Sequence, residues 1–282
     1  MIGAILGDII GSRFEFHNHR SKDFELFTPE CDFTDDTILT VATADAILNG
    51  RSYKEAYLDW GRRYPNPKGA YGASFSRWLW DPEPYNSFGN GAGMRVSPVG
   101  FAFVDKDCVL EEARKSAEVS HNHPEGIKGA QVIALSVNLL RRRGSKLALL
   151  EEFGGAYDLS RTIEEIRSTN TFNETCQVTV PQAIRCFIDS TSFEDAIRNA
   201  VSIGGDTDTI AAMTGALAEA YYGVPQELVN KLKDYLPEEM IRIVDRFCVR
   251  YETQPIPFWA DPANGPIPDQ YKYIERGSIF SI

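Results

Sequence analysis

Apolar residues recur at three- and four-residue spacing over 38–48, 132–140, 184–188 and 210–222, the period of a helix that turns one face to a core. Shorter runs of the same kind predict helices at 52–63, 109–119, 145–153, 160–168, 193–202 and 236–250, with Gly, Pro and Asn between them. The apolar opening of the chain predicts a first helix with Glu15 near its end. Nothing alternates with the period of a strand, so the predicted fold is all-α. Residues 211–222 carry Ala, Gly and Thr on faces that would be polar on a surface helix, which predicts a central helix packed on all sides. With no low-complexity linker and no fixed-period repeat, one compact domain over 1–253 is expected. Prolines at 255, 257, 262, 266 and 268 exclude regular helix from 254 to 282, and this tail is expected to wrap over the domain.

The 282 residues are 43% hydrophobic and 24% charged, enough for a substantial core. With 40 acidic against 29 basic residues the formal charge is −11, which argues against a general nucleic-acid binder, because phosphate neutralisation needs a basic face. The one dense basic cluster, Arg141-Arg142-Arg143 before Gly144, reads as cations at the negative end of a helix. The start lacks a basic leader segment, and no run approaches the about 18 apolar residues of a membrane span; a cytoplasmic protein is expected. The five cysteines are scattered without a Cys-x-x-Cys pair and read as reduced, mostly buried thiols. No exposed apolar seam is evident, so a monomer is expected.

Two segments carry candidate chemistry. Thr34-Asp35-Asp36-Thr37 precedes the first long helix, and Gly204-Gly205-Asp206-Thr207-Asp208-Thr209 precedes the small-residue helix. Capping explains one such residue at each start. Further carboxylates add repulsion unless positive charge sits between them. Asp206 and Asp208 would diverge by about 200° on a regular helix, so they converge only if the backbone there is not yet helical. An EF-hand is rejected, since counting from Asp206 puts Ala211 where Gly is needed and Leu217 where Glu is needed. Acidic turns with hydroxyls suit hard cations, Mg²⁺, Mn²⁺ or Ca²⁺, rather than zinc. If the two starts face each other, a binuclear centre results that can bind sugar or phosphate oxygens and activate water.

Ser87-Phe88-Gly89-Asn90-Gly91-Ala92-Gly93-Met94-Arg95 is a glycine-rich loop before a helix-compatible run that Pro98 interrupts. Such loops bring backbone N–H groups close to an anion without needing lysines, or they serve only as a tight turn. Tyr71-Gly72-Ala73-Ser74 is a second candidate loop. In Ser120-His121-Asn122-His123, a hydrogen bond from His121 to a ligand and a structural role for His123 are expected, because no third His or thiolate lies nearby for zinc. His17 and His19 are expected to be solvated.

Taken together, these motifs resemble the ADP-ribosylglycohydrolase family. The resemblance runs in order through Gly3-Ala4-Ile5-Leu6-Gly7-Asp8 with Glu15, Thr34-Asp35-Asp36-Thr37, the Gly89–Arg95 loop, Ser120-His121 and Gly204–Ile210, continuing into Tyr221-Tyr222-Gly223. It implies a compact all-α domain whose cleft holds two Mg²⁺ or Mn²⁺ ions. The implied metal ligands are Thr34, Asp35, Asp36, Asp206, Asp208 and Thr209. Glu15 matches a glutamate assigned to water activation or to gating, with Asp35 and Asp36 the other carboxylates that could take a proton. Phe88 falls where an aromatic stacks on adenine. Ser87, Gly89 and Asn90 match the diphosphate loop, which Gly91 continues, and His121 matches a histidine lining the ADP-ribose pocket. Ser74 departs from the pattern, since some relatives place glycine there. The implied activity is hydrolysis at C1 of the distal ribose, on an ADP-ribosylated protein or small molecule. A binuclear phosphoesterase, which would leave AMP, and a non-catalytic ADP-ribose-binding protein are the alternatives.

Overall fold

In a computed structural model, described here for residues 1–142 and 145–251, the chain is helical and has no strand among the described residues. Two isolated bridges, Thr34 with Lys68 and Gly89 with Thr175, tie loops together. The predicted tail at 254–282, Arg143 and Gly144 lie outside the described residues. The helices are α1 (Ile2–Gly11), α2 (Asp35–Asn49), α3 (Tyr53–Arg63), α4 (Ala73–Trp78), α5 (Gly91–Met94), α6 (Ser97–Ala102), α7 (Lys106–Glu118) and α8 (Pro124–Arg141), followed by α9 (Lys146–Phe153), α10 (Ile163–Thr169), α11 (Cys176–Ile188), α12 (Phe193–Ser202), α13 (Thr207–Tyr222), α14 (Gln226–Lys231) and α15 (Glu238–Arg250).

The core is built around α1 and α13. All ten residues of α1 are buried, as is α13 from Thr207 to Glu219, which is the all-round burial its composition predicts. The two run antiparallel with their backbones in contact. A Cβ on Gly3 would stand 2.2 Å from the Gly215 carbonyl oxygen, one on Gly7 2.0 Å from that of Ala211, and one on Gly11 2.5 Å from that of Thr207. Glycine at every fourth residue of α1 therefore makes a groove that only a side-chain-free helix face can line. The end of α1 consequently abuts the start of α13. Helices α8, α11 and α12 surround α13, while α2 packs between α1, α3, α6 and α15.

Several predicted boundaries move. Helix α11 begins two turns before the apolar run and continues through Pro181, while Pro98 opens α6 instead of breaking a helix. Short α4 and α14 carry too few residues to show a period. Glu15 is not near the end of a helix: α1 stops at Gly11, and Glu15 lies in the turn beyond. Arg141 lies in the last turn of α8 and Arg142 follows it, so these two cations stand at the negative end of a helix as predicted. Arg141 also donates to the carbonyl oxygens of Phe101 and Tyr251, and Arg142 to that of Val104, so both tie other segments to this helix end. His19 is half-buried against Phe14 and Phe24 rather than solvated, whereas His17 is exposed.

Candidate metal centre and ligand cleft

Two different local devices build the acidic corners. At the first, Thr34 is extended (φ −111°, ψ −166°) and its hydroxyl accepts the Asp36 N–H at 3.2 Å, so Asp35 and Asp36 fall in the first turn of α2. At the second, Gly204 and Gly205 both take left-handed φ, 66° and 86°, which an L side chain rarely adopts. The bend is clamped from both sides. Asn18 accepts from the Gly205 N–H at 2.8 Å and donates to its carbonyl at 3.0 Å, while Asn170 donates to the Gly204 carbonyl at 2.8 Å. Asp206 therefore stands outside the helix and makes no side-chain cap, and Asp208 is the second residue of α13. Because one is non-helical, the two carboxylates share a space.

Backbone contact between α1 and α13 carries the turn after α1 to this corner. Carboxylate oxygens of Glu15, Asp206 and Asp208 lie within 4.8 Å of one another, and a hydrogen bond of 3.2 Å from the Thr209 hydroxyl to Asp36 joins the two corners. Asp35, Asp36, Asp206, Asp208, Thr209 and Glu15 all line one cavity of ≈ 500 Å³. Thr34 stands one layer behind, donating to Asp8 at 2.8 Å. Gly69 leaves room for Glu15, since a Cβ there would lie 2.9 Å from its carboxylate.

Asp8 is the residue that sequence reasoning passed over. It is fully buried and accepts four hydrogen bonds, from the N–H and hydroxyl of both Thr34 and Thr37. It braces the start of α2 from α1. Burial nevertheless pushes its carboxyl up to about 6. Burial likewise raises Asp206 to about 6, against the Asn90 amide that donates to it at 2.7 Å. Burial, reinforced by the Asp208 charge, lifts Glu15 to about 8. Asp35, Asp36 and Asp208 are held well above the usual carboxylate range, by burial first and then by neighbouring carboxylates, Asp208 for the first two and Asp206 for Asp208. None of the described ion pairs gives these groups a Lys or Arg, and one buried oxygen of Asp36 has no hydrogen-bond partner. An all-oxygen donor set with uncompensated charge fits hard divalent cations.

Ser87, Gly89, Asn90, Gly91 and His121 line the same cavity, as do Tyr71 and Ser74. Two loop N–H groups are already used, Gly89 by the Ser87 hydroxyl at 3.1 Å and Asn90 by the Glu174 carbonyl at 2.7 Å. Asn90 turns its amide to Asp206 and so links the loop to the acidic corner. Phe88 lies outside the lining, 45% exposed, with its ring edge-on to His123 at 5.3 Å. His123 caps α8, as its structural reading predicts, accepting the Glu125 N–H at 3.1 Å. His121 is buried against Tyr85 and the loop.

Fold and site together define an all-helical protein with a carboxylate-walled cleft suited to divalent cations and a glycine loop on the same cavity. The comparisons make the class specific: the ADP-ribosylglycohydrolase family model matches residues 1–256, and the chain belongs to that family of hydrolytic enzymes. It is similar to the human ADP-ribosylhydrolase ARH3, 28% identical over 80% of this chain and 85% of that protein. It is also similar to the ADP-ribosylarginine hydrolase Tri1 of Pseudomonas putida, 25% identical over 82% of this chain and 72% of that one. A solved ADP-ribosylglycohydrolase-related protein complex superposes with a TM-score of 0.60 at 26% identity, over 86% of this chain and 90% of that chain.

Proposed function

We propose that this protein hydrolyses the glycosidic bond at C1 of the distal ribose in an ADP-ribosylated protein or small molecule, releasing ADP-ribose. The observation that carries this reading is the convergence of Glu15, Asp206 and Asp208 within 4.8 Å, in one cavity with Asp35, Asp36, Thr209 and the glycine loop. Asp35, Asp36, Asp206, Asp208 and Thr209, with Thr34 behind them, would hold two divalent cations, Mg²⁺ or Mn²⁺. Bound there, they would supply Lewis acidity toward sugar hydroxyls and water.

The chain's own groups divide the remaining work. Ser87, Gly89, Asn90 and Gly91 seat the diphosphate beside His121, and Phe88 offers an exposed ring for the adenine. This anchoring fixes the distal ribose over the carboxylates, which converts much of the barrier into prior binding. Glu15 is the proton carrier. Surrounded only by carboxylates it keeps its proton to about pH 8, and positive charge beside Asp206 and Asp208 lowers that value. It is then ionised at neutral pH and takes a proton from the attacking water, whose hydroxyl joins C1 as the bond from C1 to the acceptor atom breaks, and the same proton is passed on to the departing acceptor atom. Asp35, partly open to the cavity, and Asp36 are the other carboxylates placed to take it.

A panel of arginine-, serine- and O-acetyl-linked ADP-ribose substrates, incubated with Mg²⁺, Mn²⁺ or chelator and read by mass spectrometry, tests the proposal. Intact ADP-ribose released only with metal is the expected result. AMP as product would make the protein a phosphoesterase, and no turnover on any linkage would leave it a binding protein. Hydrolysis that survives the Asp206→Ala, Asp208→Ala double change would also remove the assignment.

A further inference from the structure

A second cavity, of ≈ 180 Å³, runs along α11 and shares no lining residue with the acidic cleft. It is smaller than the about 300 Å³ at which sites for drug-sized ligands begin, so it suits a small molecule. Gln182 lines it and is only 5% exposed. The Gln182 Nε2 donates to Asn170 Oδ1 at 2.8 Å. This orientation is fixed from the other side, because the Asn170 Nδ2 donates to the carbonyls of Gly204 at 2.8 Å and Ile203 at 3.3 Å, and a carbonyl can only accept. Gln182 Oε1 is therefore the spare end of the amide, and it is buried with no hydrogen-bond partner. Leaving a buried acceptor unpaired is costly.

A second acceptor stands beside it. Pro181 lies inside α11 and brings no N–H, so the carbonyl of Gln177, four residues earlier, lacks the donor that a helix would give it. Gln177 and Pro181 both line the cavity. Asp158 lines it too; its Oδ1 takes two bonds from Ser160, and Oδ2 is left over. Two arginines complete the polar wall. Arg185 is engaged by Asp189 and the Leu159 carbonyl. Arg161 spends Nη2 on the Glu165 carbonyl and the Thr169 hydroxyl, and among the described residues nothing takes its other N–H groups. The remaining wall is apolar, from Leu159, Ile166, Val178 and Pro181.

We propose that this cavity is a second ligand site, for an α-amino acid with a small aliphatic side chain. An ammonium has three N–H groups, which match Gln182 Oε1, the Gln177 carbonyl and Asp158. Its carboxylate pairs with Arg161, and its side chain lies on the apolar wall. The site does not depend on the ADP-ribose reading above, yet it reaches the acidic corner. Gln182 holds Asn170, Asn170 holds the Gly204 carbonyl, and the left-handed Gly204-Gly205 bend keeps Asp206 outside α13. An occupant that fixes Gln182 therefore stiffens the bend and tightens divalent-cation binding at that corner. By linkage, the cation tightens amino-acid binding by the same factor.

Calorimetry with L-valine on the full chain, in chelator, tests the site. One equivalent bound with a Kd of about 1 mM or tighter is expected, and isovalerate, which lacks the ammonium, should not bind. Arg161→Gln removes the carboxylate anchor and should weaken L-valine about tenfold. Pro181→Ala returns an N–H to α11 and fills the Gln177 carbonyl, so it should weaken L-valine about threefold to tenfold in a helix that is no less stable. No binding of L-valine, or binding that both substitutions leave unchanged, overturns the proposal. The link to the acidic corner is read separately. L-valine should shift the backbone amide signals of Gly204 and Gly205 in ¹⁵N NMR and tighten Mn²⁺ about fivefold. Bound L-valine that moves neither signal and leaves Mn²⁺ affinity unchanged overturns the coupling. The valine titration needs no metal, so failure of the chain to bind Mn²⁺ would remove the metal reading alone.

Discussion

Gly7→Ala tests how the acidic corners are brought together. An alanine Cβ at this position would stand 2.0 Å from the Ala211 carbonyl oxygen and 2.4 Å from its carbon, where ordinary contact begins at 3.4 Å. The deficit is about 1.4 Å, and the atoms in the way are backbone, which cannot rotate aside as a side chain can. Nor can α1 slide, since every residue along it is buried. Overpacking against side chains costs about 1–3 kcal/mol, so about 3 kcal/mol or more is expected here. For a chain of this size that lowers the melting temperature by about 6 °C or more. Activity should fall further than stability, because parting α1 from α13 moves Glu15 and Asp8 relative to Asp206 and Asp208, and a shift near 1 Å can cost about 10²-fold. Thermal unfolding by circular dichroism and hydrolysis at saturating metal measure the two effects. Gly155→Ala is the control, because nothing lies within 4 Å of a Cβ there, and it should change stability by less than about 0.5 kcal/mol. A Gly7→Ala protein that melts with wild type and turns over normally would refute the argument that backbone contact between these helices aligns the site.

The carboxylates predict a pH dependence of the metal-free protein. Asp8 and Asp206 are raised to about 6 and Glu15 to about 8 by burial and like charge, so the folded state binds more protons than the unfolded one across this range. Stability contributed by these groups is therefore complete below their ordinary values and is lost as pH rises toward 8. Scanning fluorimetry with chelator should show a falling melting temperature from pH 5 to 8, and Mg²⁺ or Mn²⁺ should raise it more at pH 8 than at pH 5. A rise with pH in chelator contradicts the charge argument. Asp208→Asn should stabilise the metal-free protein at pH 8 and abolish most of the stabilisation by Mg²⁺, as melting curves with and without metal would reveal. Asn90→Ala removes the amide that orients Asp206 and should weaken metal binding about 10-fold or more, measured by calorimetry. Of the five thiols only Cys108 is exposed, so a thiol reagent should modify one cysteine in the native protein and five in denaturant.

Much of the architecture was legible in the linear chain because its signals act within one or two helical turns. Apolar spacing marked α2, α8, α13 and α15, and the Thr34 cap and Gly204-Gly205 bend announced where two helices begin. Burial of α13 on all sides followed from its small residues. Short α4 and α14 span too few residues to show a period, and the start of α11 was hidden because Pro181 is read locally as a break. At the site, the carboxylates at 35, 36, 206 and 208 stood out by crowding beyond what a cap requires, and the same excess of charge asked for cations. Asp8 did not stand out, because an acid inside an apolar helix carries no local sign that threonines 26 and 29 residues away will bind it. Asn18 and Asn170 were silent for the same reason: they act through contacts set by packing. Meeting of the two corners and the raised pKa values that burial imposes there depend on which helix faces touch. That is decided by the glycine groove of α1 against α13, a property of close-packed backbones that no single segment contains.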